Sequence, residues 1–209
     1  MRCVIKEKLG HRIDGWIQVL FPCLFWRALS PNLLTVVGTL VAGSSGLAFA
    51  TGACALGGGM LLAGGFFDLV DGVVARHAGR ETRFGAFLDS SLDRVVDVLS
   101  LVGLVYFYAT QGQGGWASVC AWVLVASVLT SYAKARAEQE LERMPGGLLE
   151  RGERIGLLAI GALSGWLEPV LGLLALGTSV TVGQRFLYAY REMSRLDRRE
   201  ADSQAQEAD

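Results

Sequence analysis

Charge is missing where a soluble domain of this size would carry it. No Asp, Glu, Lys, Arg or His occurs in residues 28–67, and none occurs in 98–133. A membrane-crossing helix needs about 20 apolar residues, so each stretch has room for most of two crossings. This excludes a soluble globule and a disordered chain. Metal-binding and redox side chains are also scarce. The 209 residues hold 2 histidines and 4 cysteines. Cys3, Cys23, Cys54 and Cys120 are scattered and form no C-x-x-C pair, which excludes a disulfide scaffold and leaves them as small apolar residues. Neither His11 nor His77 lies in a His/Cys cluster, so a zinc centre has no support. The net charge of −1 lacks the excess positive charge of a nucleic-acid binder. No internal repeat is visible. Glycine, in contrast, is abundant at 27 residues, far above its usual share of about 7%. Small residues let membrane helices approach closely, and Gly161-x3-Gly165 has that spacing.

The hydropathy pattern predicts an all-α integral membrane protein with six transmembrane helices, near 33–51, 54–76, 84–109, 116–137, 152–167 and 170–190. Glu168-Pro169 is expected to break the fifth from the sixth. Basic residues fix the orientation. Arg76, Arg80 and Arg83 lie between the second and third spans, and Lys134, Arg136, Arg143, Arg151 and Arg154 flank the connection from fourth to fifth. Arg185, Arg191, Arg195, Arg198 and Arg199 close the chain, while the three opposite turns hold no Lys or Arg. With six spans, every basic group falls on one side, which the positive-inside rule makes cytoplasmic. Ahead of the first span, Ile5, Leu9, Ile13, Trp16, Ile17 and Leu20 recur at helical spacing among Lys6, Lys8, Arg12 and Asp14, the pattern of an amphipathic helix lying in the membrane interface. The organisation expected is an interfacial segment over 1–30, a six-span domain over 31–191 and a polar tail over 192–209.

The chemistry is concentrated between residues 65 and 100. Asp68 and Asp71 are three apart on the second span, and Asp89 and Asp93 are four apart on the third, so each pair shares a helix face. At 1.5 Å per residue, Asp68 and Asp71 lie ~12 and ~8 Å from Arg76, and Asp89 and Asp93 lie ~8 and ~14 Å from Phe84. Four carboxylates therefore reach a similar shallow depth. An acidic residue within a span costs roughly 3 kcal/mol to insert and marks a polar site. Four together must protonate or be neutralised by cations. An all-oxygen donor set favours hard ions such as Mg²⁺ or Mn²⁺, and two such ions would form a centre for phosphoryl chemistry. The plainer alternative is a set of buried Asp–Arg pairs that stabilise helix contacts. Asp97 continues the i, i+4 row at greater depth. Arg94 is its expected charge partner, in a structural or supporting role.

Written out, the stretch is Asp68-x2-Asp71-Gly72-x2-Ala75-Arg76-x8-Gly85-x3-Asp89-x3-Asp93. This resembles the complete signature of the CDP-alcohol phosphotransferase family, with eight fixed residues in 26 positions. The resemblance implies a dimeric six-helix membrane enzyme with two divalent cations, Mg²⁺ or Mn²⁺. It implies that Asp68, Asp71 and Asp89 hold the cations with Asp93 completing the site, and that Asp93 is the catalytic base. It further implies that Gly72, Arg76 and Gly85 hold the CDP moiety, with Asn32 and Thr35 near the nucleotide. The substrates implied are a CDP-linked lipid and an alcohol, in the cytoplasmic membrane of a bacterium or archaeon, with the active site facing the cytoplasm and no nucleic-acid partner.

The remaining basic residues bear on the alcohol. Lys134 and Arg136 end the fourth span, Arg151 and Arg154 share a face of the fifth, and Arg185 lies near the end of the sixth. An anionic acceptor would use several such groups, since the guanidinium fork matches phosphate. Ordinary positive-inside anchoring accounts for part of them, and Glu150 and Glu153 offer local partners to Arg154 and Arg151. The segments around Ser131–Glu138, Glu150–Arg154 and Gln184-Arg185 resemble the branch of the family that makes phosphatidylinositol phosphate, or its archaeal ether-lipid analogue, from inositol phosphate. That branch implies an acceptor-phosphate pocket of Lys134, Arg154 and Arg185. Gly152 departs from it, where Ala is common. The alternatives are phosphatidylglycerophosphate synthesis from glycerol phosphate, then a neutral acceptor such as inositol, serine or choline. Outside enzymes, a cation transporter and a non-catalytic scaffold are the rivals. Transport needs access from both sides, whereas these carboxylates lie near one face.

Overall fold

The computed structural model describes residues 31–77 and 82–207. The interfacial helix expected in 1–30 lies outside the described residues, as do the side chains of Asp71 and Arg76. Among the described residues there is no strand. The helices are α1 (Pro31–Gly43), α2 (Ser45–Ala50), α3 (Cys54–His77), α4 (Arg83–Thr110), α5 (Gly114–Ala137), α6 (Arg151–Ser164) and α7 (Leu167–Glu207). α1 and α2 nearly join and together form the first predicted span. Ser44 interrupts them, with its hydroxyl donating to the Leu40 carbonyl one turn back.

Local chemistry sets the boundaries. Thr82 caps α4 by accepting from the Gly85 N–H at 2.9 Å. Glu150 and Glu153 form a reciprocal capping box at the start of α6. The break after α6 falls at Gly165 and Trp166, one turn earlier than the sequence suggested. Gly165 takes φ +76°, a left-handed cap that glycine adopts without strain. Pro169 then sits in the first turn of α7, where no intrahelical partner awaits its missing N–H, so it breaks nothing. The Gly161-x3-Gly165 spacing is therefore not one close-packing face. Gly161 abuts Val170 at the α6–α7 corner, and Gly165 ends the helix. α7 runs unbroken for 41 residues and carries the exposed polar tail with it.

Among the described residues, three stretches are long and apolar enough to cross a membrane: Asn32–Ala50, Gly114–Ala137 and Leu167–Ala205, with a shorter apolar helix over Cys54–Val70. The carboxylates and arginines of α3 and α4 dilute their hydropathy, and α6 has only 14 residues. Leu47, Leu176 and Trp166 are 76%, 71% and 69% exposed, so large apolar side chains face outward as well as inward. Inside, Phe49, Leu61, Leu104, Cys120, Ala159 and Leu171 form one core shared by α2 to α7. Hydroxyls bond helix to helix as well: Ser45 and Ser100 meet at 2.9 Å in the core, and Trp122 donates its indole N–H to Ser179.

The helix order around the bundle positions the site. α1 packs on both α3 and α4, each of which touches α1 far more than the other. α3 also packs on α6, and α5 lies against α4 and α7. α1 is thus a wedge between the two helices that carry the carboxylates.

Candidate active site

Small residues bring α1 down onto α3. A Cβ added to Gly64 would stand 2.4 Å from that of Ala42, so only glycine permits this approach. Above the contact, Thr35, Gly38 and Thr39 of α1 line a narrow cleft with Gly64 and Asp68 of α3 and Asp89, Asp93 and Val96 of α4. Its free volume is about 20 Å³, room for a single water-sized occupant.

Asp68, Asp89 and Asp93 each place one carboxylate oxygen within 4.8 Å of the others. The helices do not touch closely there, and the acids span the gap that α1 holds open. Asp68 is exposed, whereas Asp89 and Asp93 are half-buried. Asp89 Oδ1 is fully buried with no hydrogen-bond donor among the described residues. A buried carboxylate oxygen without a donor is costly. The three converging acids, Asp68, Asp89 and Asp93, supply hard-oxygen ligands. The residues present therefore fit a divalent cation. Asp71 lies one turn after Asp68 on α3.

The CDP-binding candidates fall around this cleft. Thr35 lines it. Asn32 Oδ1 and the Thr82 hydroxyl would stand 3.2 and 3.0 Å from a Cβ on Gly85, so Asn32 and Gly85 meet where α1 and α4 begin. Gly72 lies half-buried on α3.

A second cluster continues from Asp93 into the bundle. Arg151 of α6 pairs with Asp93 at 2.6 Å and with Asp97 at 3.4 Å. Arg154, one turn on, pairs with the other oxygen of Asp97 at 3.4 Å and donates to the Thr130 hydroxyl at 3.3 Å. Arg185 of α7 donates to the Thr130 carbonyl, and its Nε is buried with no acceptor among the described residues. Asp97, Thr130, Arg154 and Arg185 are all at least nine-tenths buried. Beside Arg185 opens a cavity of about 310 Å³, lined by residues 144–148 with Gln184 and Tyr188. Gln184 and Thr181 hold that loop by accepting from the Leu148 and Leu149 N–H groups.

Two sequence expectations change here. Asp97 takes Arg151 and Arg154 as partners, not Arg94. Arg94 turns back along its own helix to the Ser90 carbonyl and to Asp93, at 2.5 and 3.6 Å. Glu153 serves the capping box, accepting from the Glu150 N–H, while Arg151 and Arg154 point to the aspartates. Of the three acceptor candidates, Arg154 and Arg185 converge on Thr130. Lys134 reaches Glu138 one turn on, half-exposed, at 3.8 Å. Thr130 was not legible in the sequence, since nothing there distinguishes it from other span hydroxyls. The matched i, i+3 arginines and the surplus Asp97 were the available signal for the Asp–Arg network.

A sequence model of the CDP-alcohol phosphatidyltransferase family matches residues 28–182, which include the cleft and most of the arginine network. The chain belongs to that family. Among curated relatives, the archaetidylinositol phosphate synthase of Methanothermobacter thermautotrophicus is 34% identical over 175 residues, covering 79% of this chain and 86% of that one. The phosphatidylinositol phosphate synthase of Mycobacteroides abscessus is 38% identical over 176 residues, covering 79% and 80%. Among solved structures, Mycobacterium tuberculosis phosphatidylinositol phosphate synthase with CDP-DAG bound superposes with a TM-score of 0.73 at 29% identity, covering 88% of this chain and 94% of that one. The same enzyme in complex with manganese and citrate also gives 0.73 at 29%, covering 87% and 88%. As a CDP-alcohol phosphatidyltransferase, this chain is an enzyme of phospholipid synthesis.

Proposed function

We propose that the protein transfers a phosphatidyl-type group from a CDP-linked lipid such as CDP-diacylglycerol to a hydroxyl of inositol phosphate, releasing CMP. The observation that carries this reading is the juxtaposition of the acidic cleft with the Arg154–Thr130–Arg185 cluster, which unites a cation site with an anion site in one protein. The naming of the relatives supports the same acceptor.

Asp68, Asp71, Asp89 and Asp93 would hold two divalent cations, Mg²⁺ or Mn²⁺. Bound there, the cations would neutralise charge on the lipid's pyrophosphate. Asn32, Thr35, Gly72, Arg76 and Gly85 hold the CDP moiety. Arg154, Arg185 and Lys134 hold the acceptor phosphate. Asp93 accepts the proton of the acceptor hydroxyl. The hydroxyl oxygen bonds to the lipid-side phosphorus, the bond from that phosphorus to the CMP oxygen breaks, and CMP leaves. The catalytic domain is 31–191, crossing the cytoplasmic membrane of a bacterium or archaeon six times as a homodimer. The polar stretch that follows residue 191 is solvated, and the site faces the cytoplasm. The one-sided basic residues support that orientation.

The test is CMP release by purified protein supplied with a CDP-lipid, Mn²⁺ or Mg²⁺, and a panel of alcohols. Inositol phosphate is expected to be the best acceptor, and chelation is expected to stop turnover until metal is restored. Preference for glycerol phosphate would overturn the acceptor and point to phosphatidylglycerophosphate synthesis. Cation flux without CMP would overturn the enzymatic reading in favour of a transporter.

A further inference from the structure

Asp97 lies outside the acidic cleft, with 4% of its surface exposed, yet it divides its two oxygens between two arginines of different reach. Oδ1 takes Arg151 Nε, and Oδ2 takes Arg154 Nη2, both at 3.4 Å. Those arginines are three residues apart on one face of α6 and would repel one another without a shared anion. Each has its far end engaged elsewhere. Arg151 grips Asp93 at 2.6 Å, while Arg154 donates to Thr130 and to the Leu149 carbonyl. Through Thr130 the chain reaches Arg185. The sequence Asp93, Arg151, Asp97, Arg154, Thr130, Arg185 is thus an unbroken polar path from the candidate base to the candidate phosphate-binding arginines.

From this geometry we infer that Asp97 is a positioning residue for the acceptor: it fixes the guanidinium planes of Arg151 and Arg154, and so sets the acceptor phosphate in register with Asp93. The inference rests on the proposed phosphorylated acceptor. A buried carboxylate that anchored helices alone would need only one arginine. Supporting both ties Arg154, a phosphate-binding candidate, to Arg151, which grips the candidate base Asp93. Partners that orient metal-ligating groups are typically worth about 10- to 100-fold in affinity or activity, and an effect of that scale is expected for arginines oriented in the same way.

Steady-state CMP release reads the inference directly. Asp97→Asn keeps the shape and removes the charge. It is expected to raise the KM for inositol phosphate about tenfold or more while leaving the KM for the CDP-lipid within about twofold, because its partners Arg151 and Arg154 are not among the residues proposed to hold the CDP moiety. A purely structural role would lower the active fraction, and with it kcat, with both KM values unmoved. That result, or an equal rise in both KM values, overturns the assignment. Removing a charge between two buried arginines threatens folding. Asp97→Glu is therefore measured beside it, since it keeps the charge and displaces the carboxylate by one methylene. It is expected to raise the acceptor KM severalfold with the lipid KM unchanged, and an unchanged acceptor KM in folded Asp97→Glu overturns the proposal even where Asp97→Asn does not fold. The wild type separates the two readings. If it prefers glycerol phosphate, inositol phosphate falls as acceptor and the same KM split is scored with glycerol phosphate. If it uses only uncharged alcohols, both readings fall.

Discussion

Gly103→Ala tests whether the helix crossing behind the site sets its geometry. α2 and α4 meet at Gly46 and Gly103 with backbone against backbone. A Cβ on Gly103 would stand 2.1 Å from the Gly46 carbonyl oxygen, so the helices must part by about 1 Å to reach ordinary contact. Overpacking of this kind costs about 1–3 kcal/mol. Alanine recovers about 0.5–1 kcal/mol as the better helix former. The net is a loss of up to about 2.5 kcal/mol with a midpoint of about 1 kcal/mol, which corresponds to roughly 2–4 °C in melting temperature at the midpoint for a chain of this length. The displacement also travels. Asp93 lies ten residues from Gly103 on the same helix, about 15 Å away, while Thr35 stands on the opposite wall. A full 1 Å misplacement of reacting groups costs about 100-fold in rate, and since part of the shift dissipates along the helix, kcat is expected to fall about tenfold. The assays are thermal unfolding of detergent-purified protein and CMP release. Gly152→Ala is the control, because a Cβ there meets nothing within 4 Å, and it is expected to match or slightly exceed the wild type in stability. If Gly103→Ala melted with the wild type and turned over at the same rate, the claim that this crossing fixes the cleft would be refuted.

Asp93→Asn is expected to abolish CMP release, a loss of at least about 100-fold, while the protein still purifies folded and binds CDP-lipid; retained turnover would remove Asp93 as the base. Asp89→Asn is expected to weaken Mn²⁺ binding by about 10-fold or more, followed by the Mn²⁺ electron paramagnetic resonance signal, because it removes the negative charge and replaces one carboxylate oxygen with a non-ligating NH₂. Arg154→Ala is expected to raise the acceptor KM far more than Lys134→Ala, since Arg154 is buried in the network while Lys134 sits half-exposed beside Glu138; equal effects would refute that ranking. Changes at exposed pairs such as Lys134–Glu138 rarely exceed about 1 kcal/mol in stability.

The helical class, the apolar stretches and the acidic signature were legible in the order of residues alone. Those features depend on local periodicity and on residue type at fixed spacing. Three and four residues always return to one helix face, so the pairing of Asp89 with Asp93 needed no coordinates. Boundaries set by competing local signals were less legible: Pro169 reads as a breaker but is harmless in a first turn, and Gly165 is a cap that resembles a packing motif. Which helices meet became visible only in the packed bundle. It placed α1 as a wedge between α3 and α4, which makes the cleft a three-helix feature. It also carried α6 to within reach of α4, bringing Arg151 and Arg154 to Asp97 across more than fifty residues of sequence. Such long-range pairing leaves no period in the chain, because it depends on the packing of whole helices and on the need of buried charges to find one another.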